Sequence, residues 1–175
     1  MKKIVIYTAI LIVLFSCKEK VKPLNKFTLN EKFNPETLII QSPTLNKSKG
    51  QVLYVPVYSN IPFYDQKFIY DVSAVLAIHN TDFYSPIYIT CVNYLNTKGM
   101  MVAKFLKERV KVMPMETKTF FVPEKDTSGA GANFIVEWVC DSIVSTPKIE
   151  TVMIGVSSSN SVSFISTATV LREKQ

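Results

Sequence analysis

From Gln51 onward the chain is written in short apolar or alternating runs closed by turn residues, and no stretch sustains a helical period. That pattern restricts the fold to strands joined by tight connections. In Asp71–Asn80, Val72, Ala74, Leu76 and Ile78 fall on one face, and in Asn133–Cys140, Phe134, Val136, Trp138 and Cys140 do the same. The other predicted strands are Val52–Ser59, Ile87–Tyr94, Met101–Phe105, Val110–Val112 with Thr117–Val122 after a bend at Pro114, Glu150–Ser157 and Ser163–Leu171. The side-chain inventory agrees: 20 Val, 16 Ile and 14 Thr stand against 7 Ala and 11 Leu, a balance that favours pleated, half-buried surfaces over helices. Turn residues at Asn80-Thr81-Asp82, Asn96-Thr97-Lys98-Gly99 and Ser158-Ser159-Asn160 separate the runs. Together they predict an all-β domain, an immunoglobulin-like antiparallel β-sandwich of about eight strands. Pro56 removes a ladder donor inside the first strand, which places that strand at a sheet edge or at a kink between sheets.

The beginning of the chain follows a different rule. Lys2 and Lys3 precede a largely apolar stretch, Ile4–Phe15, which ends in Leu14-Phe15-Ser16-Cys17 and gives way at once to Lys18-Glu19-Lys20. The stretch is short of the roughly 20 residues a membrane span needs and has the layout of a secretory signal. Its end resembles the lipobox of bacterial lipoproteins, with Phe15 departing from the small residue usual there. The expectation is removal of residues 1–16, acylation of Cys17, and residence in the bacterial cell envelope as a lipid-anchored protein. Lys18 in place of an aspartate also resembles lipoproteins sorted to the outer membrane. Residues 17–49 then read as the lipidated cysteine and a basic Pro/Asn/Lys tether, and 50–175 as the β-sandwich domain.

Charge follows the same division. The net +6 and pI near 9.2 arise outside the domain, because residues 17–49 hold seven lysines against Glu19, Glu31 and Glu36, whereas acids and bases balance from Gln51 onward. Nucleic-acid binding needs basic residues clustered on a folded face, so no nucleic-acid partner is expected.

Chemistry-bearing residues are sparse. His79 is the only imidazole, no G-x-S-x-G or H-E-x-x-H occurs, and no metal, cofactor or catalytic residue is assigned. Asp82 would be the orienting carboxylate if His79 were a base. Cys91 and Cys140 could bridge in an oxidising compartment, or could be buried thiols filling strand positions. The most site-like stretch is Asp126-Thr127-Ser128-Gly129-Ala130-Gly131-Ala132-Asn133, which sets three side-chain oxygens and two glycines before an apolar strand. It leads into Phe134-Ile135-Val136, not a helix, so it is not a phosphate loop. Asp126, Thr127, Ser128, Gly129, Gly131 and Asn133 are the candidate binding residues, and local loop closure by the same groups is the competing account. An alternative aromatic face consists of Tyr54 with Tyr58 and Tyr88 with Tyr94, beside Phe63 and Tyr64 in the following loop.

Several separated segments, Val52-Leu53-Tyr54-Val55-Pro56-Val57-Tyr58-Ser59, Ile78-His79-Asn80-Thr81-Asp82, Pro86-Ile87, Asp126-Thr127-Ser128-Gly129, Asn133-Phe134-Ile135-Val136-Glu137-Trp138 and Val152-Met153-Ile154-Gly155, resemble the bacterial family catalogued as domain of unknown function 3124 (DUF3124). The likeness spans roughly Gly50–Arg172. It implies an exported, often lipid-anchored protein with no assigned activity and brings no catalytic residues. The functional expectation is a non-catalytic binding module whose partners are the membrane, through the anchor, and an envelope protein or glycan. The alternatives are a carbohydrate-active or other hydrolytic enzyme using Asp126, Glu137 or Glu150, and a purely structural surface protein.

Overall fold

The computed structural model describes residues 31–38, 49–124, 126, 128–157 and 160–174. The signal segment, Cys17 and Thr127 lie outside them. The described residues form thirteen strands: β1 (Glu31–Lys32), β2 (Lys49–Tyr58), β3 (Asn60–Phe63), β4 (Phe68–Asp71), β5 (Ser73–His79), β6 (Ile87–Leu95), β7 (Met100–Lys104), β8 (Val110–Val112), β9 (Thr117–Val122), β10 (Ala130–Cys140), β11 (Lys148–Val156), β12 (Ser161–Thr167) and β13 (Thr169–Lys174). All eight predicted strands are among them. The last is divided at Ala168, and β1 and the β3–β4 hairpin are additional. Among the described residues, no helix is long and apolar enough to cross a membrane.

The strands form an antiparallel β-sandwich. The larger sheet has the order β1-β7-β6-β10-β2-β13, with β8 also on β6; the smaller has the order β12-β11-β5-β9. Between them, alternate residues interdigitate: Leu53, Val55 and Val57 from β2, Phe134, Val136, Trp138 and Cys140 from β10, and Ala74, Leu76 and Ile78 from β5. The indole N–H of Trp138, deep in this core, donates to Gln51 Oε1 at 3.2 Å.

Three local irregularities redirect what simple alternation predicts. In β6, Cys91 pairs with Glu137 while Ile89 pairs with Trp138, so Thr90 is an extra residue. The bulge reverses the faces along β6: Tyr94 turns into the core at 2% exposure, and Tyr88 stays outward beneath the Arg109 guanidinium, 5.2 Å from its ring centre. Tyr88 and Tyr94 therefore do not share a face. Second, β2 is flanked by β10 and β13 and is not an edge strand. Pro56 lies beyond the reach of β13, whose pairing with β2 begins at Thr169–Tyr54, and its carbonyl accepts the hydroxyls of Thr151 (2.9 Å) and Ser166 (2.5 Å). A strand residue's N–H and C=O point to the same side, so the missing donor faces the gap where β12 leaves for the other sheet.

Third, residues 33–38 pack on the outward face of the larger sheet. Asn34 closes a single 3-10 turn at Pro35–Thr37, and Leu38, at 5% exposure, joins Val52, Leu95 and Ile135, with Phe33, Tyr54 and Cys91 against them. Glu137 points to this same face, as alternation requires, yet is fully buried and not solvated; Thr90 donates its hydroxyl to Oε2 at 2.6 Å. The two cysteines are free. They lie on adjacent strands of one sheet but on opposite faces, Cys140 in the main core and Cys91 in the outer cluster, which precludes a bridge. Burial, reinforced by the Glu137 charge, pushes the Cys91 thiol up to about 12.

At one end of the sandwich, the loops 80–86, 113–116 and 141–147 are fastened together. Asn80 is 2% exposed; its Nδ2 donates to the carbonyls of Ser85, Val112 and Met113 at 2.9, 3.2 and 3.1 Å, and its Oδ1 accepts from Asp82 N. Asp82 Oδ1 accepts from Tyr84 N and Ser85 N, and Oδ2 from Ser145 N, at 2.8–2.9 Å. The N–H of Ser145, then those of Tyr84 and Ser85, hold the Asp82 carboxyl below the usual aspartate value. A depressed folded value means that its contribution is complete above the ordinary aspartate pKa and is lost as pH falls through the folded one. In a two-dimensional NMR titration, the amides of Tyr84, Ser85 and Ser145 should shift together at acid pH, and Asp82→Asn should abolish that step.

Candidate functional site

At the opposite end of the sandwich stands the β3–β4 hairpin, a two-stranded sheet of its own. Its base is fixed by Ser59, which is fully buried: Val72 N donates to Ser59 O at 3.0 Å, and Ser59 Oγ accepts from Gly129 N at 3.0 Å. Register pairs Ile61 with Tyr70, Pro62 with Ile69 and Phe63 with Phe68. The turn is made by Tyr64, Asp65 and Gln66, all in the left-handed region with φ of 53°, 52° and 64°, which is uncommon for residues other than glycine. No glycine or asparagine marks it in the sequence, which is why the hairpin reads there as a loop.

Its outer end is an aromatic cluster. Phe63 meets Tyr64, Phe68 and Tyr70 at ring separations of 6.3, 5.7 and 6.3 Å, and Tyr64 meets Phe68 at 6.2 Å, mostly edge to face. Yet Tyr64, Phe68 and Ile69 are 76%, 57% and 64% exposed, so these rings are ordered by one another more than by burial in a core. The Tyr70 hydroxyl ties the hairpin to the turn beyond β11, facing the carbonyls of Asn160 at 3.0 Å and Gly155 at 3.3 Å. Gly155 permits this approach, because a Cβ there would collide with the Tyr70 ring and stand 2.8 Å from Asp71 O. Between hairpin and turn runs an open groove of about 200 Å³, lined by Ile61, Phe63, Tyr70, Asn160, Ser161 and Val162. Clefts for whole small molecules measure roughly 300–1,000 Å³, so this one suits a side chain or a single ring of a larger partner.

The predicted loop lies at the same end but faces inward. Asp126, at 7% exposure, accepts the Tyr94 hydroxyl at 2.7 Å and Ser128 N at 3.0 Å; Ser128 in turn accepts Thr97 N through its carbonyl. Burial, then the Asp126 charge, pushes the Tyr94 phenol upward, so it stays a donor. Gly129 and Gly131 have φ of 97° and 131°, and a Cβ on Gly129 would come within 3.1 Å of Thr97 Cγ2. Asn133 is 8% exposed within β10. Asp126, Ser128 and Gly129 are thus brought together with Ser59 at the foot of the hairpin, as its support. Tyr54 is half-buried in the outer cluster and Tyr58 packs edge-on against Phe164 at 5.9 Å, so the four tyrosines form no common surface.

The carboxylates named for hydrolysis are far apart. Glu137 lies on the outward face of the larger sheet, Glu150 on that of the smaller sheet, and Asp126 in the loop at one end. Two packed sheets lie about 10 Å apart, which separates Glu137 and Glu150 beyond the spacing of a glycosidase pair. His79 is not oriented by Asp82. Its Nδ1 meets Thr117 Oγ1 at 2.9 Å, and its Nε2 is 3.6 Å from Glu150 Oε1, whose partner oxygen binds Lys148 at 3.0 Å. Among the described residues, no three His, Cys, Asp or Glu side chains are gathered as a metal site.

A model of proteins of unknown function, DUF3124, matches residues 50–171. The chain belongs to this family. The DUF3124 match covers the sandwich from β2 into β13, including the hairpin and the Asp126 loop. No curated protein matches the chain. Among solved structures it is similar to the crystal structure of Thermotoga maritima 1070, at 10% identity and a TM-score of 0.43, over 68% of this chain and 92% of that one.

Loss of the Asp126 carboxylate should read as an architectural defect. Asp126→Ala leaves the buried Tyr94 hydroxyl unpartnered and is expected to cost about 1–3 kcal/mol in urea unfolding, with Tyr94→Phe in the same background restoring part of it.

Proposed function

We propose that this protein is a lipid-anchored β-sandwich of the bacterial cell envelope, at the outer membrane, acting as a non-catalytic interaction module. The observation that carries the binding role is the hairpin: an exposed aromatic cluster whose backbone is fixed by Ser59, Tyr70 and the Gly155 contact. Rigid aromatic side chains give large contact area at little cost in lost rotamer freedom, and that is the composition of binding hot spots. Phe63, Tyr64, Phe68 and Ile69 are the contact residues, and the 200 Å³ groove beside them takes the anchor group of an envelope protein or glycan.

Support for anchoring comes from the sequence alone: Lys2-Lys3, the apolar Ile4–Phe15 and Cys17. Protein recovered from membranes should begin at Cys17 and carry acyl mass there; an unmodified Cys17 in the mature chain removes the anchor from the proposal.

The binding role is tested separately. After cross-linking in intact envelopes, partners joined to the wild-type protein should be lost from Phe63→Ala/Phe68→Ala. Because Phe68 is 57% and Phe63 42% exposed and neither belongs to the main core, the double variant should stay folded with only a modest drop in melting temperature. Undiminished cross-linking by the folded double variant assigns the hairpin to architecture.

A further inference from the structure

At the end of the sandwich opposite the hairpin, five apolar side chains stand out from the fastened loops. Phe83 is 71% exposed, Tyr84 89%, Met113 50%, Met115 62% and Ile143 96%. They come from three separate connections that Asn80 and Asp82 bind to one another. Met115 N also donates to Asp82 O at 3.2 Å, and Thr81 Oγ1 to Thr146 O at 3.0 Å. Met115 itself has a left-handed backbone, φ 59°, a conformation that methionine rarely adopts. Much of the polar backbone behind the tips is thereby satisfied within the protein.

We propose that this loop end inserts into the surface of the lipid bilayer, with Phe83, Tyr84, Met113, Met115 and Ile143 as the membrane-contacting residues. Two physical requirements are met. An apolar medium penalises every unpaired backbone N–H and C=O, and the Asn80–Asp82 network has paired many of those in these loops. Aromatic residues with one apolar and one polar side suit the interface, and Tyr84 is exposed beside Phe83, their ring centres 6.2 Å apart. One rung behind the tips stand Lys111, Lys118 and Lys148. Lys118 is matched with Glu116 at 2.6 Å and Lys148 with Glu150 at 3.0 Å, so two of these three lysines are paired with carboxylates.

The choice of a bilayer over a protein occupant rests on how the chain enters the fold. β6 starts at the tip end and β7 pairs only with its far part, Asn93–Leu95, so β1, paired with Met100 and Met101, lies at the hairpin end, about 26 Å of strand from the tips. Being antiparallel to β7, β1 runs away from the tips, the direction of a chain that reaches it from an anchor on the tip side. From Cys17 to Glu31 there are 14 residues, at most about 50 Å of chain, so an anchored Cys17 holds the domain within one such length of the membrane. The inference rests on the anchoring reading in this respect, and it adds a second contact to the first. Single acyl chains give reversible binding, whereas two membrane signals together give a stable association.

The test uses protein recovered from membranes and reconstituted in phosphatidylethanolamine–phosphatidylglycerol vesicles, with or without brominated acyl chains. The parent protein has a single Trp, the buried Trp138, which should not be quenched. Tyr84→Trp places an indole at the tips, and brominated chains should reduce its emission. Adding Phe83→Ser and Ile143→Ser should abolish that loss, while adding Phe63→Ala at the opposite end should leave it intact. An unquenched tip indole overturns the proposal, and so does self-association of Tyr84→Trp that disappears on adding Phe83→Ser and Ile143→Ser, which would make the tips a contact between copies. The mass of the same sample separates the two readings: quenching without acyl mass on Cys17 removes the anchor and supports the tips, and acyl mass without quenching does the reverse.

Discussion

Everything in this molecule is arranged around one strand that is covered on both faces. From Ala132 to Cys140, every residue of β10 is buried, and β2 and β6 pair with it on either side along most of its length. A strand in an antiparallel sandwich ordinarily needs only one apolar face, with the other left to water. Here the second face carries Ile135 and Glu137, so something must cover it, and Phe33 and Leu38 contribute to that cover. Residues 31–38 are in this respect part of the folded unit: Glu31–Lys32 adds a strand to the larger sheet, and Leu38 completes a small second core. Burial of the Cys91 thiol under the same cover raises it, and the Glu137 charge beside it adds to the shift.

The sandwich was legible because alternation survives in most strands. β5 and β10 place the apolar residues inward as the sequence predicts, and turn-forming clusters separate them from their neighbours. What could not be read were the places where one residue changes the parity. Thr90 is an unremarkable threonine in a β-rich run, yet as a bulge it sends Tyr94 into the core and leaves Tyr88 outside. The hairpin was hidden for a related reason: three residues with ordinary side chains hold left-handed backbone that sequence associates with glycine or asparagine.

Function was less legible than fold. A run of oxygen-bearing side chains such as Asp126 to Ser128 looks the same in sequence whether it faces a ligand or closes its own loop, because burial is a property of the tertiary arrangement. Asp126 proves to be the acceptor for a core tyrosine. Glu137 and Glu150 are near one another in the chain but belong to different sheets, so their proximity in sequence carries no information about a paired site. Conversely, Phe83, Tyr84, Met113, Met115 and Ile143 are scattered through the sequence, and their loops are joined by the tertiary bonds of Asn80, Thr81 and Asp82.

The division at Ala168 bears on how such a chain can be made. β12 completes the smaller sheet against β11, and β13 completes the larger one against β2, so a single late segment supplies an outer strand to both layers. During synthesis from the amino terminus, the first long strand waits for almost the last one, and each layer keeps an open edge until then. Pairings so distant in sequence form slowly, because loop closure must precede any gain from contact. A chain with this wiring stays unfinished while it emerges from the ribosome.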